Sequence, residues 1–472
     1  MTFTIEKLGR INAAQIEIKP LTLFVGKNDS GKTYCASAIW ALLTFVQGIG
    51  YPSALKNVPE QLKIIEQYLN DQTPSKLNIK FSSEQIHQIQ KDVRQSFAKA
   101  SPKLLSDAIG YEGFSHSKFN FLVPENCVQE MSIVVGVKKD TDVEQLILIE
   151  NEDDEDGLVE SVSHNYSTTY ELMIDGQKIR AFDINISELQ DVFQLLKYQL
   201  GQDIAGYAVF GKEWSSYKNT IYLPAARTGI MLAIDFFVSG TMQRNLLDPN
   251  RTKAPQASSL PAPLREFAAN LTSPYRVRYQ SDQFLGKILN GSYARTKKRG
   301  EYQYTPLGME NPIPLAATSS LVTELAGFAL MLNTVDMRDS FVIFEEPEAH
   351  LHLEAQREIA KVLVALANKG RRLLITTHSD TFLQQINNLI ALNDHPARED
   401  LLAKLEIDVR ETINRSNVIA YDFKCVNNVT NVERLVCGKS GFVAPSLNEV
   451  LMRLSLETIA IQQDLDESEE GQ

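Results

Sequence analysis

The fold of this chain is decided by the stretch Leu21-Thr-Leu-Phe-Val-Gly26-Lys-Asn-Asp-Ser-Gly-Lys32-Thr33. Residues 21–25 form a compact apolar run of the length of a buried strand in a central sheet. From Lys32 to Val46, apolar residues recur at helical spacing, so a helix is expected there. The residues between strand and helix match G-x-x-x-x-G-K-[ST] at every fixed position. The sequence therefore predicts an α/β fold with a glycine-rich turn between a buried strand and a helix.

This turn has the features of a binding site for phosphate groups. Its two glycines permit backbone conformations that direct several N–H groups at phosphate oxygens, and the helix N-terminus adds its dipole. Lys32 is expected to reach the β- and γ-phosphates, and the Thr33 hydroxyl is expected to ligate Mg²⁺. The alternative is a glycine turn without a ligand. We predict that ATP and Mg²⁺ are bound by Gly26, Lys27, Asn28, Asp29, Ser30, Gly31, Lys32 and Thr33.

A second apolar run, at residues 340–344, ends in the carboxylates Glu345 and Glu346. Beside a phosphate loop, such a strand end places one carboxylate in the Mg²⁺ shell and the next one near an attacking water. Glu345 is therefore predicted to bind the metal and Glu346 to act as the catalytic base. Many surface strands end in acids, so this prediction depends on the pairing with the phosphate loop.

A third apolar run, at residues 373–377, ends at His378. It lies about one strand–helix–strand unit after the carboxylates, and open α/β sheets bind ligands at the carboxyl ends of their strands. This placement favours contact of His378 with the γ-phosphate or the attacking water over a structural role. His350 and His352 lack the H-E-x-x-H spacing of a zinc site, so structural roles are expected for them.

The remaining sequence divides into a core and an insertion. Residues 1–50 and 310–463 are expected to form the nucleotide-binding core, with a mixed α+β insertion at 51–309. The acidic, polar residues 464–472 are expected to be disordered. Inside the insertion we predict amphipathic helices at 59–70 and 83–98, strand-rich stretches at 118–150 and 168–184, a strand at 219–223, and a hairpin whose tip is at 297–300.

Composition excludes several function classes. The 472 residues carry a net charge of −12, which argues against non-specific coating of nucleic acid. Four scattered cysteines lack metal-binding spacing and favour reduced thiols in a cytoplasmic protein. The N-terminus has no signal-peptide pattern, and no apolar run reaches the roughly 20 residues of a membrane-spanning helix. We therefore expect a cytoplasmic protein without a membrane partner.

The phosphate loop is followed along the chain by the carboxylate strand and then by the histidine strand. This order of motifs resembles that of the ABC-type ATPases of the SMC and OLD group. The resemblance covers residues 1–46 and about 313–390, and it implies that ATP is hydrolysed between two copies of the chain. It also implies a signature segment that contacts ATP on the opposite subunit. The matching serines here are Ser319 and Ser320, although an ordinary helix cap would also use serine. Glu345 stands where most relatives carry aspartate, which implies slow hydrolysis.

The segment with Ser319 and Ser320 resembles the reduced signature of bacterial defence ATPases, especially the ATPase subunits of the Septu and PARIS anti-phage systems. The segment Tyr222-Leu-Pro-Ala-Ala-Arg227 resembles the same group. Arg227 is expected either to face the nucleotide or the subunit interface, or to form a structural salt bridge. The resemblance implies a homodimer or higher homo-oligomer that controls a separate effector, of nuclease, Toprim or HNH type. A phage protein or DNA would be the trigger.

Two other functions are also compatible with the sequence. In the first, the chain is a stand-alone SMC-like ATPase of DNA maintenance, whose Lys297, Lys298 and Arg299 touch phosphates; such basic tips are usually only solvated. In the second, the chain is a scaffold with little hydrolysis, in which ATP locks the oligomer. The long spacing between the phosphate loop and Ser319 disfavours a transporter cassette.

Overall fold

The computed structural model describes residues 1–114, 116–123, 128–148, 160–186, 189–233, 260–272, 285–296, 301–334 and 340–470. The expected hairpin tip at 297–300 and the acidic stretch at 150–156 lie outside these residues. The chain forms two compact units. The core unit comprises Met1–Leu42, Ala100–Phe121 and Asn219–Gln472, and the second unit comprises Leu43–Lys99 and Leu122–Lys218. The expected division into 1–50 plus 310–463 and an insertion remains a prediction.

The strands in chain order are β1 (Thr2–Leu8), β2 (Ile11–Glu17), β3 (Leu21–Val25), β4 (Lys76–Phe81), β5 (Lys118–Leu122), β6 (Met131–Leu148), β7 (Glu160–Ile174), β8 (Gln177–Ile186), β9 (Asn219–Leu223), β10 (Gly291–Arg295), β11 (Tyr302–Pro306), β12 (Ile313–Pro314), β13 (Ser340–Glu345), β14 (Arg372–Thr377), β15 (Val418–Val426) and β16 (Val429–Arg434). The helices are α1 (Lys32–Gln47), α2 (Tyr51–Ala54), α3 (Pro59–Asp71), α4 (Ser83–Ile109), α5 (Leu189–Phe210), α6 (Ala262–Thr272), α7 (Gly286–Leu289), α8 (Ser320–Thr334), α9 (Leu353–Asn368), α10 (Asp380–Asn393), α11 (Arg398–Lys404) and α12 (Pro445–Glu470). Residues 227–233 are also helical.

The core unit contains a nine-stranded sheet in the order β5-β1-β2-β16-β15-β3-β14-β13-β9. Within it, the five strands β15, β3, β14, β13 and β9 run parallel to one another. Every residue of β3 and β13 is buried, because strands covered on both faces need apolar side chains at successive positions. The expected α/β fold is confirmed. The carboxylate strand β13 is not directly beside β3, however, since β14 lies between them.

The connection from β13 to β14 shows how the sequence produces this parallel order. Helix α9 buries Ile359, Leu363 and Leu366, which recur at the spacing of one helix face. Gly370 follows the helix with φ +90°, a left-handed conformation that glycine adopts without steric cost. The chain can then reverse into β14. Because the parallel strands share one carboxyl edge, the residues after β3, β13, β14 and β9 meet there.

The second unit contains the four-stranded antiparallel sheet β4-β6-β7-β8. Helix α4 begins with a capping box: Gln85 accepts from the Ser82 amide (2.9 Å), and Ser82 accepts from the Gln85 amide (3.4 Å). The helix extends well past the expected end at 98. In this unit the buried Asp203 carboxylate accepts hydrogen bonds from Lys218, Tyr170 and Gln199 at 2.6, 2.7 and 2.6 Å.

Two C-terminal features differ from expectation. Strand β16, which was not predicted, pairs with β15 across Asn427 and Asn428, whose φ values of +51° and +64° suit a two-residue type I′ turn. The last helix continues to Glu470 and thus includes residues that were expected to be disordered. Within the described ranges, no helix combines the length and the apolar character needed to cross a membrane.

Candidate functional site

The phosphate loop joins β3 to α1 through three left-handed residues. Gly26, Asp29 and Gly31 have φ values of +144°, +60° and +91°. A Cβ atom on Gly26 would lie 2.7 Å from the Phe423 carbonyl oxygen, so the close approach of β15 requires glycine. Arg10 pairs with Asp29 at 2.7 Å. The loop therefore has a fixed, tight shape, as the sequence motif requires.

Lys32 folds over its own loop. Its buried Nζ donates to the carbonyls of Gly26 (2.8 Å) and Lys27 (2.7 Å). Burial lowers the pKa of Lys32, while Glu346 and the other carboxylates of the β13 end oppose this shift. Lys32 and the β13 carboxylates thus act on each other electrostatically at the carboxyl edge of the sheet.

Glu345 is buried at the end of β13, and its Oε2 accepts from the Ala225 amide at 3.2 Å. Burial raises the pKa of Glu345, and interactions with Thr33, Ala225 and Tyr222 partly oppose this. Among the described residues, no donor has hydrogen-bonding geometry to its buried Oε1. A carboxylate oxygen without a donor next to a threonine hydroxyl fits Mg²⁺, which prefers oxygen ligands and takes the rest from phosphates and water. The described residues contain no cluster of three histidine, cysteine or acidic side chains for a metal.

Glu346 and His378 form the second part of the edge. The Nδ1 of His378 lies 3.6 Å from the Glu346 carboxylate, and both side chains are partly exposed. The interaction with His378 lowers the pKa of Glu346, and the same interaction raises the pKa of His378. Glu346 has φ +44°, a left-handed conformation that costs about 1–3 kcal/mol in a non-glycine residue. Its carboxylate is partly exposed at the edge that carries Lys32.

Glu348 is a site residue for which no role was predicted. This buried carboxylate accepts from the Thr377 hydroxyl (2.6 Å) and from the His378 amide (3.0 Å), and it lies 3.5 Å from His378 Nδ1. It therefore orients His378 from the inside of the fold. The available signal was the alternation of acids after β13, since Glu348 follows Glu346 by two residues.

Arg227 forms the structural salt bridge that the sequence left open as an alternative. It is completely buried and pairs with Glu324 at 2.5 Å. Its Nη1 donates to the Glu345 carbonyl (2.8 Å), and its Nη2, which faces Glu324, also donates to the Glu346 carbonyl (3.0 Å). The guanidinium lies 4.8 Å from the centre of the Phe344 ring. The expectation that Arg227 faces the nucleotide or a subunit interface is thus wrong for this conformation, because its charge is enclosed by protein groups.

Ser319 and Ser320 lie exposed at the start of α8. The amide of Val322 donates weakly to Ser319 Oγ at 3.5 Å, which is the contact of a helix cap. Within the described part of one chain, no hydrogen bond or ion pair joins these serines to the phosphate loop. The sheet edge of a single chain therefore brings together Lys32, Thr33, Glu345, Glu346 and His378, without a bond to the two serines.

Comparisons with known proteins give the family. A model of the AAA ATPase domain family matches residues 1–383. Among solved structures, the chain is similar to an SMC head bound to the C-winged helix domain of ScpA, with 14% identity, 93% of this chain and 98% of that chain covered, and a TM-score of 0.35. It is also similar to the SMC head domain from Thermotoga maritima, with 11% identity, 92% and 98% covered, and a TM-score of 0.31.

A third similar structure is an Smc head with an extended coiled coil, bound to the C-terminal domain of ScpA derived from Pyrococcus furiosus. It has 13% identity, 97% of this chain and 98% of that chain covered, and a TM-score of 0.32. No curated protein sequence matches the chain. Since the family model covers far more than half of the 472 residues, the chain belongs to the AAA ATPase domain family.

Proposed function

We propose that this chain binds ATP with Mg²⁺ at the carboxyl edge of its large sheet and hydrolyses it. The observation that carries the proposal is that the loop with Lys32 follows β3 while Glu345 and Glu346 lie at the end of β13, at the same carboxyl edge of one parallel sheet. A triphosphate site needs its cation and its metal-binding acids together in this way. The loop glycines leave the backbone amides free to turn toward phosphate oxygens.

In this proposal each side chain has a separate task. Lys32 exchanges its loop carbonyls for phosphate oxygens, and Thr33 and Glu345 hold the metal. When bound, Mg²⁺ supplies positive charge that stabilises the negative charge developing on the phosphate oxygens. The longer side chain of Glu345, compared with an aspartate, is the reason to expect slow turnover.

Glu346 is the proposed general base. Its lowered pKa keeps the carboxylate ionised near neutral pH, so it accepts a proton from a water positioned at the edge. His378, oriented by Glu348, holds the Glu346 carboxylate and donates a hydrogen bond toward the γ-phosphate. Both side chains are partly exposed, which leaves room for the substrate and for water.

A second copy of the chain completes the proposed site. The exposed hydroxyls of Ser319 and Ser320, together with the N-terminus of the fifteen-residue helix α8, offer donors for the γ-phosphate of ATP bound to the opposite copy. The support is their exposure in one chain and the resemblance to ABC-type ATPases of the SMC and OLD group.

Steady-state hydrolysis of Mg-ATP by the parent and by Glu346→Gln tests the proposal. The glutamine variant should lose about 10²- to 10⁴-fold in kcat, the usual contribution of a general base, and should still bind ATP. Glu354→Gln, an exposed glutamate on α9, is the matched control and should behave as the parent. Equal kcat values in the parent and in Glu346→Gln would refute Glu346 as the base.

We further propose that the ATPase belongs to an anti-phage defence complex and controls a separate effector protein. The support is the resemblance of the Ser319 segment and of the Arg227 segment to defence ATPases. The test is co-purification of the tagged chain with the product of a neighbouring gene that encodes a nuclease. A chain that purifies alone and protects no cell from phage would contradict this role.

A further inference from the structure

The buried network around Arg227 joins three parts of the core unit. Arg227 begins the helical stretch after β9, Glu324 lies on the second turn of α8, and Glu346 follows β13. Glu324 receives the Arg227 guanidinium on one oxygen (2.5 Å), and its other oxygen contacts the Thr228 hydroxyl and His350 Nδ1 (3.2 Å). One buried carboxylate on α8 therefore contacts groups from the two other parts.

The same guanidinium fixes the backbone that carries the proposed base. It donates to the carbonyls of Glu345 and Glu346, one on each side of the Glu346 Cα, and the Glu346 amide donates to the Thr376 carbonyl at 2.9 Å. Glu346 has a left-handed φ of +44°, which a glutamate keeps only where neighbouring groups impose it. The direction of its side chain follows from this backbone conformation.

We propose that Arg227, through its pair with Glu324, is a positioning residue that holds Glu346 in its working orientation and ties this orientation to helix α8. This inference rests on the proposed ATPase function. The start of α8 carries Ser319 and Ser320, so a shift of that helix on contact with a second copy would pass through Glu324 and Arg227 to Glu346. In this connection the charged groups of Arg227 and Glu324 are buried.

Arg227→Lys is the decisive variant. Lysine keeps the positive charge for Glu324, but a single ammonium cannot reproduce the planar fork that binds two carbonyls and a carboxylate together. We expect kcat for Mg-ATP to fall at least about tenfold, because small displacements of reacting groups have effects of this size. The Kd for ATP should change by less than about twofold, since the loop residues and Lys32 are untouched.

The control is Lys218→Met, which breaks a buried ion pair in the second unit. It should lower the melting temperature by an amount comparable to Arg227→Lys while its kcat per folded molecule stays that of the parent. A merely structural Arg227 would lose folded protein in the same way and keep its kcat. That result, or a kcat loss of similar size in the control, would overturn the inference.

The Glu346→Gln background gives an independent readout. If Arg227 acts through Glu346, Arg227→Lys should lower the residual single-turnover rate of Glu346→Gln by less than about twofold, because interactions that act as a unit are not additive. A full further tenfold loss would overturn the inference. If Arg227→Lys does not fold, Glu324→Gln decides: reduced kcat with retained ATP binding supports the proposal, and parental kcat overturns it.

These measurements separate the inference from the function on which it rests. Equal kcat values in the parent and in Glu346→Gln mean that the proposed base itself is wrong. A large loss in Glu346→Gln together with parental kcat in Arg227→Lys leaves the ATPase function intact and refutes only the positioning role.

Discussion

Two buried ion pairs, one in each unit, have similar chemistry and different surroundings. Arg227 and Glu324 in the core unit are both essentially inaccessible, and so is Asp203 beside Lys218 in the second unit. Two nitrogens of Arg227 also donate to backbone carbonyls at the end of β13. Asp203 instead collects side-chain donors from Tyr170 and Gln199.

The difference shows how burial of charge serves two purposes. The donors to Asp203 all come from side chains, so this ion pair stabilises one local cluster of side chains. The Arg227 pair acts at the sheet edge, since Arg227 also binds the backbone of Glu346, whose side chain is partly exposed. We therefore expect changes to either pair to lower stability, and changes to the second pair to lower turnover as well.

The largest expected difference between the two ion pairs concerns the free energy of unfolding. Lys218→Met should lower the free energy of unfolding by about 3–5 kcal/mol, because it leaves the Asp203 carboxylate buried without its cation. Burial already lowers the pKa of Lys218 to about 8, which indicates an apolar environment. Urea denaturation measures the loss. A stability change below about 1 kcal/mol would show that Tyr170 and Gln199 are sufficient partners for Asp203.

A smaller effect is expected for the cation of the phosphate loop. Lys32→Ala should weaken ATP binding about 10–100-fold, the value of one or two charge-assisted hydrogen bonds, with little change in unfolding free energy. Isothermal titration of ATP measures the affinity. The exposed Lys404 on α11 provides the matched control, Lys404→Ala, which should bind as the parent. Unchanged affinity in Lys32→Ala would contradict the phosphate-loop assignment.

The smallest effect concerns the pH dependence of the Glu346–His378 pair. The raised pKa of His378 contributes stability that is present below its unfolded value of 6.5 and is lost as pH rises through the folded value. The lowered pKa of Glu346 contributes stability that is present above 4.5 and is lost as pH falls through its folded value. The pair should therefore stabilise most between these pH values.

The measurement is the unfolding free energy of the parent minus that of His378→Gln across pH. Because both side chains are partly exposed, the maximum difference should be below about 1 kcal/mol. A difference that grows steadily above pH 7 would contradict the pairing of these two groups.

Local patterns predicted the elements that carry the site. Strand β3, the loop from Gly26 to Thr33 and helix α1 are continuous in sequence, so a short motif contains their whole geometry. The two later strands were readable because strands buried on both faces are apolar throughout. Hairpin β15–β16 was missed although Asn427 and Asn428 are a turn signal, because β16 is largely exposed and has no apolar run.

The partners of Arg227 could not be predicted. Its contacts with Glu324 and with the Glu346 carbonyl join residues about 100 positions apart, and no spacing rule links them. An arginine suits both roles that the sequence allowed for Arg227, contact with the nucleotide or the subunit interface and a structural salt bridge. Only the placement of β9 next to β13 decides that its guanidinium points inward.

The position of β3 in the sheet has a consequence for synthesis on the ribosome. Its two hydrogen-bonded neighbours, β14 and β15, are encoded about 350 or more residues later. At about 5–20 residues per second, the nascent chain therefore carries an unpaired apolar strand for roughly 18–70 seconds. During that interval the strand is available to chaperones or to self-association, and the site cannot form before nearly the whole core unit has emerged.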